Sequence, residues 1–233
     1  MLRPIRYSNL FVSEHRLIAL IERTARFLEA IHAHLGNLVP AEGTRHLVAF
    51  QAALLSLEHA TGASVLIGQG FFPSAYVLIR PQYECLVRGI WLLYAASDAW
   101  VEKLSEPLTL ENAKRANEGP MLAEMLRQLE SSPNSPGPIV EQLKQYRDAT
   151  WKAMNSYAHG GLHPLSRMIT GYPAQLTYDV MRNSNAVLAL TTQLASILSG
   201  DPLNMAPVRR FHTEFADCLP ILNNGWSDKY EDR

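Results

Sequence analysis

The sequence predicts an all-α protein, built as a single bundle of about six main helices. Apolar residues recur at intervals of three and four over long stretches, which is the period of an amphipathic helix. Most glycines and prolines fall between these stretches, and no stretch has the composition of a β-strand. Because 47% apolar content can fill a substantial core, we expect one domain over residues 1–233. Its core should span about 13–200, followed by an irregular C-terminal extension at 201–233.

The first two helices are predicted from their apolar spacing. Residues 13–35 carry leucine and isoleucine mostly three or four positions apart, with arginines between them. Residues 44–67 carry a second set of such apolar positions. This helix should end at Gly68-Gln69-Gly70, where glycine can adopt a positive φ.

The third helix, from about Pro73 to Ser97, is predicted to be the central helix of the bundle. Its sequence SAYVLIRPQYECLVRGIWLLYAAS is apolar on nearly every side, which is typical of a helix buried all round. Pro81 lies inside it, and a proline in a helix interior typically costs about 3 kcal/mol. We therefore expect a kink, which either lines a pocket or lets the helix curve around the core.

Three further helical regions follow. Residues 99–129 are expected to form one or two polar outer helices, broken near Pro107 and Gly119-Pro120. Residues 139–158 and residues 173–198 are each expected to form one long helix. SSPNSPGP before the second region predicts a loop, and Gly160-Gly161 should end the helix that follows it. The polar C-terminal segment SDKYEDR is expected to be mobile.

The charge balance excludes a general polyanion binder. With 21 basic and 22 acidic residues, the formal net charge is −1, so no overall field gathers nucleic acid or membrane surfaces. A local basic pocket remains compatible with this balance. The N-terminus lacks the pattern of a secretory signal, and the uncharged run at residues 60–79 is interrupted by glycine and proline. We expect a cytoplasmic protein with no membrane contact.

Cofactor and metal motifs are missing from the sequence. Cys85 and Cys218 form no C-x-x-C pair, and no phosphate-loop, dinucleotide or hydrolase-elbow motif occurs. His159 and His163 have the spacing of a helical metal pair, but Gly160-Gly161 and Pro164 argue against a continuous helix there. We therefore expect neither a cofactor nor a metal ion.

A stripe of alternating charge marks the third helix. Arg80, Glu84 and Arg88 are four residues apart, so they share one side of the helix. Because burying an unpaired charge costs several kcal/mol, these groups must pair internally, with another helix or with a ligand. The stripe is either a structural salt-bridge ladder or the charged wall of a pocket.

The segment MNSYAHGG at residues 154–161 contains the second group of polar side chains. Asn155 and His159 are one turn apart at the predicted C-terminal end of their helix. A protonated histidine at this end is favoured by the helix dipole, which is a structural reason for its presence. The functional alternative is a site, since a titratable histidine beside an amide suits acid–base chemistry or anion binding.

The segment LIRPQYECLVRGIWLLY, together with the later helix that ends in MNSYAHGG, resembles uncharacterised bacterial proteins that are similar to the HEPN superfamily. This superfamily is named for higher eukaryote and prokaryote nucleotide-binding domains, and the resemblance covers residues 44–198. It implies dimeric ribonucleases or toxins of defence and toxin–antitoxin systems, with an Arg-Asn-x-x-x-His motif. Asn155 and His159 match this motif, but Met154 takes the place of the arginine, which the resemblance implies stabilises the phosphate transition state.

The expected function is that of a HEPN-like homodimer acting on RNA or a nucleotide, with weak or lost ribonuclease activity. His159 would serve as acid–base, Asn155 would orient it, and Arg80 would bind phosphate with Glu84 in the same polar site. Two alternatives remain open. One is a non-catalytic interaction protein whose partner is another chain, and the other is a bundle that binds a small molecule against the third helix.

Overall fold

A computed structural model describes residues 12–110, 112 and 119–220. Over these residues the chain forms nine α-helices and no strand, which confirms the all-α class. They are α1 (Glu14–Leu35), α2 (Thr44–Gly68), α3 (Phe72–Tyr94), α4 (Asp98–Ser105), α5 (Leu122–Ser131), α6 (Gly137–Ala158), α7 (Leu162–Thr170), α8 (Ala174–Leu198) and α9 (Met205–Glu214). The predicted mobile segment at residues 227–233 lies outside the described residues. None of the helices described is long and apolar enough to cross a membrane.

The helix count exceeds the predicted six because four helices are short. Five helices are 22 to 25 residues long, and each of them has a counterpart in the sequence prediction. The others, α4, α5, α7 and α9, are 8 to 10 residues long. Helices α4 and α5 correspond to the one or two outer helices predicted over residues 99–129. Helices α7 and α9 were not predicted, because a segment of two to three turns shows too few apolar repeats to be recognised by its period.

Helices α6 and α8 are each followed by a glycine with positive φ, and Gly160 was expected to end α6. Gly160 follows α6 with φ of 62°, and Gly200 follows α8 with φ of 72°. This left-handed conformation costs other residues free energy, so it is the usual way for a glycine to end a helix. The predicted ends at Ala158 and Leu198 are confirmed.

Helix α3 is the centre of the bundle, as predicted. It packs against α2, α5, α6 and α8, and Tyr83 and Trp91 are fully buried in it. Pro81 does not interrupt the helix, which continues from Phe72 to Tyr94. Pro81 has no amide proton to donate to the carbonyl of Val77, and Val77 is 37% exposed. The kink at Pro81 stays a prediction.

A buried polar pair joins α3 to α8. The side chain of Gln82 is completely buried, and its amide nitrogen donates to the carbonyl of Ser184 at 2.9 Å. In return, the Ser184 hydroxyl donates to Gln82 Oε1 at 2.7 Å. Ser56 on α2 donates to the backbone carbonyl of Gln82 at 2.8 Å. Because buried polar groups are costly unless bonded, these contacts specify how the three helices pair.

The segment 201–220 differs from the irregular extension that was predicted. It contains α9 between two short 3-10 turns, and the core continues through Phe211 and Phe215 to Cys218. Phe215 stacks on Phe27 of α1 with ring centroids 4.9 Å apart. The prolines of this segment were interpreted as interruptions, but Pro207 lies in the first turn of α9, where a missing amide proton breaks no helical hydrogen bond.

Replacing Gly89 by alanine should destabilise the bundle, because Gly89 is where α3 comes closest to its neighbours. A Cβ atom there would lie 2.8 Å from Leu194 Cδ2 and 3.2 Å from the carbonyl oxygen of Ala49. We expect Gly89→Ala to lower the free energy of unfolding by about 1–3 kcal/mol, measured by urea denaturation. Gly68→Ala is the matched control, since a Cβ at Gly68 would meet nothing within 4 Å. Equal stability of the two variants would contradict this account of the packing.

Candidate functional site

Arg80 and Glu84 form a half-buried ion pair on α3. Arg80 Nε donates to Glu84 Oε1 at 2.9 Å, and the two side chains are 25% and 31% exposed. This i, i+4 arrangement was expected from their spacing. The side chain of Arg88, the third charge of the stripe, lies beside Gly119. Its Nη1 would be 3.1 Å from a Cβ atom on that glycine. Of the predicted three-residue ladder, Arg80 and Glu84 pair with each other in the described structure.

His159 brings the end of α6 onto this pair. Its Nε2 lies 2.9 Å from Arg80 Nη1, although the two residues are 79 positions apart. A guanidinium group only donates hydrogen bonds, so His159 Nε2 must accept. In this contact Nδ1 is the ring nitrogen that is left to act as a donor. The structural alternative, in which a protonated His159 only interacts with the helix dipole, does not account for this contact.

Trp151 completes the cluster, and sequence analysis did not identify it. The Arg80 guanidinium lies over the Trp151 ring, 4.9 Å from its centroid. A cation over an indole face is attracted to the ring and held in a defined orientation. The available signal was spacing, because Trp151 lies four residues before Asn155 and eight before His159 on the same helix. Its partner on α3 was not deducible from that spacing.

Asn155 shares the helix but not the hydrogen bonds of the cluster. Its Oδ1 atom is buried and has no hydrogen-bond partner among the described residues. Its carbonyl accepts from the His159 amide at 3.1 Å, so Asn155 supports the helix end through its backbone. Of the four predicted site residues, the structure joins Arg80, Glu84 and His159 through side chains. Met154, at the arginine position of the motif, is 4% exposed and faces the interior.

Nucleophilic and metal chemistry find little support near the cluster. Burial raises the pKa of the Cys85 thiol to about 11, so this cysteine stays protonated near neutral pH. No group of three or more His, Cys, Asp or Glu side chains with a metal-binding arrangement occurs in the described part of the chain. His159 and His163 are separated by the turn at Gly160, so they do not form a helical pair. The arrangement is suited to contacting an anion or to joining two helices.

The contact between Arg80 and His159 should be measurable as a coupling energy. We expect Arg80→Ala and His159→Ala to be non-additive by about 0.5–1 kcal/mol in the free energy of unfolding, because the pair is close but partly solvated. Denaturant midpoints of the two single variants and the double variant give this value. As a control, Arg80→Ala combined with His15→Ala should be additive, since His15 is exposed at the start of α1. Additive effects in the first pair would show that the contact does not form in solution.

Comparison with known proteins places the chain in a family without assigning it a function. Residues 53–221, which include Arg80, Glu84, Trp151, Asn155 and His159, match the model of a family of unknown function. No curated protein and no solved structure matches the chain. The chain therefore belongs to the family of unknown function designated DUF6988.

Proposed function

We propose that this protein is a HEPN-like helical protein that binds a phosphate group of RNA or of a nucleotide at Arg80 and His159, and that it cleaves RNA weakly or not at all. The observation that carries the proposal is the 2.9 Å contact between Arg80 Nη1 and His159 Nε2 beside an exposed helix end. The contact joins the two segments on which the resemblance to the HEPN superfamily rests. It places an arginine beside the histidine of the motif, although Met154 occupies the motif's own arginine position.

The cluster has unused hydrogen-bond donors. A guanidinium carries five N–H groups, and the contacts with Glu84 and His159 use one each, which leaves three. The Nδ1 proton of His159 adds another donor on an exposed ring. Donors of this kind, three of them on the permanently charged guanidinium of Arg80, suit the oxygens of a phosphate. The face of the Trp151 ring packs against the Arg80 guanidinium and limits its rotation.

The same geometry argues against efficient cleavage. A general base must accept a proton from the attacking hydroxyl, but the Nε2 atom of His159 already accepts from Arg80. Met154 is buried and uncharged, so its position supplies no charge to a phosphate transition state. Losing one well-placed transition-state donor typically lowers a rate by about 10²–10³. Glu84 also offsets part of the positive charge of Arg80, which lowers phosphate affinity.

RNA binding should depend on Arg80 and not on arginine in general. We expect a fluorescently labelled single-stranded RNA to bind at low salt, and Arg80→Ala to weaken binding similarly for different RNA sequences. The magnitude of the slope of log affinity against log salt should fall by about one, which corresponds to the loss of one phosphate contact. Arg127→Ala is the matched control, because Arg127 also pairs with a glutamate of its own helix, Glu124, but lies on α5.

Fluorescence anisotropy measures the affinities, and gel analysis of the same RNA measures cleavage. Wild-type protein that fails to bind RNA or mononucleotides at low salt would refute the proposal. Equal weakening by Arg80→Ala and Arg127→Ala would show that binding is only non-specific. Rapid cleavage by the wild type would overturn the account of Met154 and His159.

A specific observation favours self-association as part of the function. Helix α7 has no buried residue and packs mainly against α6. Four of its apolar side chains are strongly exposed: Leu162 at 79%, Leu165 at 63%, Met168 at 69% and Ile169 at 89%. We propose that a second copy of this chain covers this face, as the resemblance to the HEPN superfamily implies dimers. In a two-fold contact each copy presents the same apolar face, so apolar surface meets apolar surface.

Light scattering at micromolar concentration should give twice the monomer mass for the wild type. Leu165→Lys with Ile169→Lys should give the monomer mass, because charges in the apolar contact are not solvated. Val39→Lys is the control, since Val39 is 76% exposed in the connection between α1 and α2. A monomeric wild type, or a double variant that remains dimeric, would exclude this interface. Dimerisation in the absence of RNA binding would favour the alternative of a non-catalytic interaction protein.

A further inference from the structure

A cavity of about 220 Å³ lies on the other side of α6 from the Arg80 cluster. It is bordered by α3, α6, α7 and α8. Both α6 and α8 pack against α3, but they have few contacts with each other, which leaves a space between them. Ala149, His163 and Asp179 line the cavity and are exposed, so it opens to solvent.

The walls combine aromatic rings with aliphatic side chains. Tyr76 of α3 and Tyr157 of α6 meet edge to face, with ring centroids 5.0 Å apart. Tyr146 of α6 stacks against Tyr83 and contributes to another part of the wall. Ile79 and Met154 are buried beside these rings. Small-molecule pockets typically have such a wall with a few polar groups that fix orientation.

One of the polar groups is an arginine without a partner. Arg167 lines the cavity from α7, is half-buried, and makes no side-chain hydrogen bond or ion pair within the described part of the chain. Its charge is close to the aromatic wall: burial raises the pKa of Tyr157, and Arg167 acts against that increase. A partly desolvated charge without a counter-charge favours binding of an anion.

A second polar group lacks a partner on α6. The hydroxyl oxygen of Tyr146 is buried and has no hydrogen-bond partner in the described structure. Burial raises the pKa of Tyr146, so the group stays a neutral hydroxyl that can donate. Leaving such a group unpaired typically costs about 1–3 kcal/mol. The hydroxyl of Tyr76, by contrast, is satisfied by Thr177 at 2.7 Å.

We propose that this cavity binds a small aromatic acid, with its ring against Tyr76 and Tyr157, its carboxylate on Arg167 and a polar ring substituent on Tyr146. A guanidinium and a carboxylate match in geometry and charge. Apolar cavities of about 150 Å³ are known to hold a benzene ring, so the volume suits one ring with small substituents. This inference is independent of the phosphate site at Arg80 and His159, which lies on the opposite side of α6.

The remaining polar side chains of the cavity differ in how they would act on this ligand. Asp179 already accepts from Gln175 through both oxygens at 2.9 Å, and it is exposed at the cavity mouth. Its negative charge repels an anionic ligand, which lowers the affinity that Arg167 alone would give. Asn183 makes no described side-chain hydrogen bond, and its amide can donate to the ligand. The Thr150 hydroxyl donates to the carbonyl of Tyr146 at 2.7 Å and is therefore not available as a donor.

Titration calorimetry on the full chain tests the proposal with benzoate, benzamide and acetate as probes. Benzoate should bind, whereas benzamide, which has the same shape without the charge, and acetate, which lacks the ring, should bind at least about tenfold more weakly. Arg167→Gln should weaken benzoate binding by at least about tenfold. Arg127→Gln on α5 is the control and should bind benzoate like the wild type. No benzoate binding by the wild type, or unchanged binding by Arg167→Gln, would overturn the proposal.

The assignment of Tyr146 is tested by adding a hydroxyl to the probe. At least one of 3-hydroxybenzoate and 4-hydroxybenzoate should bind the wild type more tightly than benzoate does. In Tyr146→Phe this gain should disappear, while benzoate affinity is retained. A gain that persists in Tyr146→Phe, or no gain for either probe in the wild type, would overturn the assignment of Tyr146. Thermal melts without ligand confirm that each variant is folded.

Discussion

The burial of α3 among α2, α5, α6 and α8 is the constraint on which the rest of the structure depends. A helix enclosed in this way must present apolar or small groups to most of its neighbours. Gly89 allows the backbone of α2 and the side chain of Leu194 to approach α3 closely. Where a polar side chain does enter the core, as at Gln82, its hydrogen bonds are completed by Ser184. The charged residues of α3 are therefore confined to a partly exposed stripe.

Because Arg80 lies in this partly exposed stripe, its partners from outside α3 come from α6 and the residue that follows it. The helix packs against α3, and Trp151 within it and His159 directly after it supply a ring face and a hydrogen-bond acceptor to the guanidinium of Arg80. At 3.6 residues per turn, residues 146, 150, 154 and 157 lie on a different side of α6. That second side faces the space left between α6 and α8. One helix thus separates a polar surface cluster from an aromatic cavity.

In both proposed sites, a chain with almost no net charge would bind an anion through an individual arginine. Long-range attraction is weak at a formal charge of −1, so recognition must depend on individual arginines and their surroundings. Arg80 is oriented by Glu84, His159 and Trp151, which limits its motion but offsets part of its charge. Arg167 has no such partners in the described structure and lies beside buried rings, where a charge interacts more strongly than in water. We therefore propose a solvated phosphate for the first environment and a small carboxylate for the second.

The sequence by itself determined the helical class, the long helices and the central position of α3. These features depend on local rules: the apolar period sets the buried face, and glycine with positive φ ends α6 and α8. The spacing of Arg80 and Glu84 placed both on one side of α3, and the ion pair that the structure shows was one of the pairings left open. Such information is contained in residues a few positions apart.

Only the tertiary structure decided which helices meet. It placed His159 on Arg80 across 79 residues, and it put Trp151 under the guanidinium. It also extended the core to Cys218 and left Arg167 beside a cavity. The spacing of residues along one helix shows which side chains share a face, but several helices present apolar faces of similar size. The choice among them depends on the packing of the whole chain, which no local pattern contains.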